Sequence, residues 1–119
     1  VTDGTTGLVW QRVVYDVNRF SWSEAKSYCA GLALGGLSGW RLPTRIELLS
    51  IMDETRSNPT INTNVFPNAP PQRFWSSSRV AASTDQAWYV EFQYGTVDFV
   101  DTDGDTNTAI PRNNARCVR

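Results

Sequence analysis

Apolar and polar positions along this 119-residue chain change rhythm twice. Leu8-Val9-Trp10-Gln11-Arg12-Val13-Val14 is rich in β-branched and aromatic residues and follows the turn-forming segments Asp3-Gly4 and Thr5-Thr6-Gly7, which predicts a first strand. The spacing then becomes helical, with Trp22, Ala25, Cys29 and Leu32 on one apolar stripe. Ser21 and Glu24 fit a capping box at the start of this helix, which ends around Gly31 to Gly36. Thr44 and Glu47 repeat the pattern after Pro43, predicting a short second helix over 45–53 with Ile46, Leu48, Leu49 and Met52 buried. Four of the six prolines fall between Asn58 and Pro71, a long loop anchored by Ile61, Val65 and Phe66.

The second half returns to strand composition at 74–78, 87–92, 96–100 and 115–118, with Tyr94-Gly95 as a hairpin turn. The order of strand, two helices, long loop and antiparallel strands predicts an α+β fold in one domain, 1–119. A 40% hydrophobic composition with five Trp, five Phe and four Tyr suffices for a core, with at least three of the Trp buried. The start at Val1 without Met reads as a processed product or an excised domain, and no apolar run reaches membrane-spanning length.

Charge narrows the candidate partners. The net charge is −1, which gives no support for nucleic acid or an anionic membrane as partner. Ten of the eleven basic residues are Arg, the side chain suited to bidentate contacts with carboxylates and sulfates, or to internal ion pairs. The absence of His removes His-based triads and His metal sites. Cys29 and Cys117 are either free or bridged. A bridge across 88 positions would restrict the unfolded chain by about 4–5 kcal/mol and would imply an oxidising compartment.

Two constellations hold candidate binding chemistry. Asp101, Asp103, Asp105 and Asn107 alternate like calcium ligands, although the placement of Gly104 and Arg112 departs from an EF-hand and Asp103-Gly104 also reads as a hairpin tip. Arg112, Arg116 and Arg119 cluster in sequence as an anion site or as partners for those carboxylates. Among the aromatic residues, Trp75 and Tyr94 are candidates for stacking on sugar rings.

An ordered series of motifs adds a resemblance. It includes Asp3-Gly4-Thr5-Thr6-Gly7-Leu8-Val9-Trp10, Trp22-Ser23-Glu24-Ala25 with Tyr28-Cys29, Gly39-Trp40-Arg41-Leu42-Pro43-Thr44 with Glu47-Leu48, Phe74-Trp75-Ser76-Ser77-Ser78, Ala87-Trp88-Tyr89-Val90 and Arg116-Cys117-Val118-Arg119. Over nearly its whole length the chain resembles the C-terminal domain family of the Legionella collagen-like adhesin. The resemblance implies a C-type-lectin-like or formylglycine-generating-enzyme-like fold, two short helices on a mostly antiparallel sheet, and a Cys29–Cys117 bridge. It also implies trimers that bind sulfated polysaccharide, from which the net charge of −1 and the acidic segment at 101–105 depart. The Trp-Asn-Asp signature of calcium-dependent lectins is absent.

These readings converge on a non-enzymatic bacterial recognition or adhesion domain of a longer extracellular, cell-surface or periplasmic protein. Loops 53–73 and 101–114 would meet a glycan or protein ligand, with no required cofactor beyond a candidate calcium ion. The alternative is a structural or assembly module of a cell-surface protein.

Overall fold

The computed structural model describes residues 1–14, 19–82, 85–102 and 112–119. Helix α1 spans Trp22–Ala30 and helix α2 spans Arg45–Ser50; a short 3-10 turn at Leu34–Gly36 lies between them. Strands β1 (Arg73–Arg79), β2 (Gln86–Glu91) and β3 (Thr96–Asp101) form an antiparallel sheet in the order β1-β2-β3. The α+β architecture expected from the chain is therefore present.

Both capping boxes form. The Ser21 hydroxyl accepts from the Glu24 backbone N–H while the Glu24 carboxylate accepts from the Ser21 N–H. Thr44 and Glu47 make the same reciprocal pair at the start of α2. These bonds satisfy donors that helix starts otherwise leave unpaired, and they depend only on residues three apart.

The sheet separates two cores because adjacent strand residues point to opposite faces. Phe74 and Val90 face a cluster with Trp10, Leu48, Ile61, Phe66, Phe92 and Val118. Trp75 and Ala87 face the other, with Trp22, Ala25, Cys29, Trp40, Leu42 and Cys117. The second cluster is closed by the Cys29–Cys117 disulfide, which ties α1 to the C-terminal segment.

Side chains lock β1 to both helices where its ladder with β2 becomes irregular between Trp75 and Arg79. Trp22 Nε1 donates to the Ser76 carbonyl at 2.8 Å, and the Ser77 N–H donates to the Pro43 carbonyl at 2.8 Å. The Ser78 hydroxyl accepts from the Arg45 N–H at the first turn of α2. The serine run thus exchanges regular pairing for contacts that seat the helices.

Three expectations need correction. The segments 8–14 and 115–118 make isolated bridges, Thr2 with Val9 and Trp10 with Val118, rather than strands. The Cys117 N–H donates to the Gln11 side-chain oxygen instead of a backbone carbonyl, which interrupts a continuous ladder. Helix α2 ends at Ser50, and of its apolar residues Leu48 is fully buried while Ile46 is 73% exposed and Leu49 lies at the surface. With only six residues, α2 cannot turn all three toward one core.

Candidate functional site: an arginine-lined cavity

The segment Arg112–Asn114 is held between two parts of the chain that are distant in sequence. Asn113 pairs with Phe20 through both backbone bonds, each 2.9 Å. Asn114 lies beside β1, donating to the Arg73 carbonyl at 2.9 Å and accepting from the Trp75 N–H at 3.0 Å. These bonds bring Arg19, Arg73 and Arg112 to the rim of one polar cavity of about 330 Å³. Gln72, Glu91, Gln93 and Asn113 complete much of its wall, and the register of β1 on β2 sets Glu91 directly across from Arg73.

The side chains in and around the cavity are organised unequally. Arg112 donates from Nη1 to Glu24 Oε1 at 2.9 Å, and about half of each side chain is exposed. The bonds from Ser21, with a smaller contribution from Arg112, hold the Glu24 carboxyl below its ordinary pKa. The Arg73 guanidinium lies 4.7 Å from the centre of the Tyr89 ring, which limits its orientations. Glu91 Oε2 accepts from the Thr96 hydroxyl at 3.3 Å.

Asn113 stands apart from these groups. It is 93% buried, yet its side-chain Nδ2 has no hydrogen-bond partner. An unpaired buried donor costs about 1–3 kcal/mol. Three arginines in the wall give the cavity donors suited to an oxyanion.

The sequence profile of the Lcl C-terminal domain matches this chain across residues 1–119. The chain belongs to that family. No curated protein matches it. Membership in the Lcl C-terminal domain family is consistent with an adhesion or structural module. Among the described residues, no helix is long and apolar enough to cross a membrane.

In this Lcl C-terminal domain the three C-terminal arginines do not converge. Arg112 lines the cavity, while Arg119 is exposed at a segment paired with Val9. Arg116 is only 1% exposed; its Nη1 donates to the Gln11 and Arg12 carbonyls at 2.7 and 2.9 Å, and it stacks on Phe66 and Phe74. Burial lowers its pKa to about 10, which leaves it charged at neutral pH. A buried cation fixed in this way is a structural centre, and its expected ligand role is corrected accordingly.

Trp75 is corrected for the same reason. It is fully buried, and its Nε1 donates to the Phe20 carbonyl at 2.7 Å. Tyr94 is 69% exposed and follows the cavity residue Gln93 in the β2–β3 turn. Of the candidate calcium ligands, the Asp101 carboxylate accepts from Gln86 Nε2 at 3.4 Å; Asp103, Asp105 and Asn107 lie outside the described residues. Among the described residues, no group of three or more His, Cys, Asp or Glu is placed to hold a metal ion.

Arg19, Arg73, Gln72 and Asn113 were not legible as a site. They come from three stretches of the chain, and their only sequence signal is the high proportion of Arg.

Proposed function

We propose that this chain is a non-enzymatic extracellular recognition domain that holds an acidic glycan at the cavity formed by Arg19, Arg73, Arg112 and Asn113. The observation that carries this reading is the convergence of Arg19, Arg73 and Arg112 on the wall of one polar cavity. Arg112 is available for exchange, because an exposed ion pair such as Arg112–Glu24 contributes about 0–1 kcal/mol and opens at little cost. The Cys29–Cys117 disulfide supports a cell-surface or periplasmic location, where oxidising conditions maintain such bonds. An adhesion role also agrees with the family.

Retention of the 119-residue chain on immobilised heparin, compared with Arg73→Ala and Arg112→Ala, tests this function. Earlier elution of each variant and of the parent at raised salt is expected. Equal retention of the parent and both single variants removes the cavity from the binding surface.

A further inference from the structure

We infer, on the footing of the glycan reading, that Tyr89 is a positioning residue: its ring holds the Arg73 guanidinium with the N–H donors open, which makes Arg73 the anchor for the oxyanion of an acidic sugar. The arginines of the cavity wall differ in what they already do. Arg112 gives Nη1 to Glu24, and Arg19 interacts with another group of the chain. Arg73 is exposed at the start of β1, and among the described residues its guanidinium meets no hydrogen-bond acceptor. Even Glu91, directly across the ladder, turns its Oε2 to the Thr96 hydroxyl instead. What Arg73 does meet is the face of Tyr89.

The sheet register creates this contact. Arg73 pairs with Glu91 and Trp75 with Tyr89, so Arg73 and Tyr89 are diagonal neighbours on one face. Tyr89 is only 6% exposed, so its ring is a fixed surface, and the guanidinium carbon lies 4.7 Å from its centre. A cation–π contact uses the charge over the ring and consumes none of the five N–H donors of Arg. A carboxylate would also orient Arg73, but it would occupy the fork and compete with the ligand, as Glu24 does at Arg112. An arginine held by a ring loses less side-chain freedom when the oxyanion arrives, and affinity rises by the amount saved. Arg45 on Trp88 repeats the contact outside the cavity, so the place of Arg73 in the wall is what turns stacking into a binding device.

The test is calorimetric titration of the disulfide-intact 119-residue chain with a heparin hexasaccharide at constant ionic strength, in the parent, Tyr89→Phe, Tyr89→Leu, Arg73→Ala and the Arg73→Ala/Tyr89→Leu double variant. Tyr89→Phe keeps the ring and should bind within about twofold of the parent, whereas Tyr89→Leu should bind about fivefold more weakly, the scale of one cation–π contact. On the Arg73→Ala background the Tyr89→Leu change should have no further effect, because Tyr89 acts only through Arg73. A merely structural Tyr89 would weaken binding equally with and without Arg73, and that result overturns the inference. Unchanged affinity in Tyr89→Leu, or equal losses in Tyr89→Phe and Tyr89→Leu, overturns it too. If Tyr89→Leu unfolds, the Arg73 Nε–H resonance of the parent and of Tyr89→Phe decides: it should be shifted upfield by the ring in both and move as the hexasaccharide is added. A resonance indifferent to saturating hexasaccharide overturns the inference and leaves the glycan reading standing. No binding by the parent overturns the two together.

Discussion

Arg41 grips Glu47 with both ends of its guanidinium group, Nη1 to Oε1 at 2.7 Å and Nη2 to Oε2 at 2.8 Å. The same carboxylate accepts from the Thr44 N–H and so completes the α2 capping box. Arg41 also exchanges backbone hydrogen bonds with Val118, next to the disulfide residue Cys117. One carboxylate thereby connects the start of a helix to the C-terminal segment.

The Arg41–Glu47 pair predicts acid sensitivity. Hydrogen bonds from Arg41, followed by those from Thr44, lower the Glu47 pKa from 4.5 to about 2. A carboxyl depressed on folding stabilises the native state above its unfolded pKa, and the contribution disappears as pH falls from about 4.5 toward 2. Arg41 is about half exposed, so we expect a loss of about 1 kcal/mol rather than the roughly 3 kcal/mol of a fully shielded shift. Thermal melts between pH 6 and pH 2.5 should show a smaller decline for Glu47→Gln than for the parent; parallel declines would remove Glu47 as a source.

Removing the staple should be the most damaging change. Cys29 and Cys117 are 88 positions apart, and a loop of that length corresponds to about 4–5 kcal/mol in the chain-entropy account. The Cys29→Ser/Cys117→Ser double variant is expected to lose stability on that scale in urea unfolding. A loss below about 1 kcal/mol would mean that the two cores hold the C-terminal segment without help.

Arg116 should report on folding rather than on ligand contact. Arg116→Ala removes two bonds to backbone carbonyls, that of Gln11 buried and that of Arg12 partly so, and its stacking on Phe66 and Phe74. A cost of about 3 kcal/mol is expected. Arg116→Lys should recover little of it, since an ammonium group lacks the planar face that stacks on both rings. Denaturant unfolding of the two variants measures this, and near-parental stability of Arg116→Lys would contradict the account.

Arg119 supplies the contrast. It is exposed but does not line the cavity, so Arg119→Ala should leave the heparin elution position close to the parent while Arg112→Ala moves it. A larger shift for Arg119→Ala than for Arg112→Ala would relocate the binding surface to the C-terminal end.

The legible parts of the fold share one property: their causes lie within a few residues. Ser21 with Glu24, Thr44 with Glu47, the Trp22-Ala25-Cys29 stripe and the Tyr94-Gly95 turn, where Gly95 adopts φ 81°, are each decided by local backbone chemistry. Strands β1 to β3 also followed from composition and differ from expectation only at their ends.

The sequence by itself determined two capped helices, a three-stranded antiparallel unit and the two cysteines available for a bridge. Only the tertiary structure decided what the arginines do, because a guanidinium reads the same in sequence whether it meets carbonyls in a core, a carboxylate at a helix start or an open cavity. Arg116 lies inside, Arg41 on Glu47, and Arg19, Arg73 and Arg112 around one hollow. Those fates depend on contacts between segments up to 105 positions apart, and burial, which sets the meaning of a charge, arises only when such segments meet.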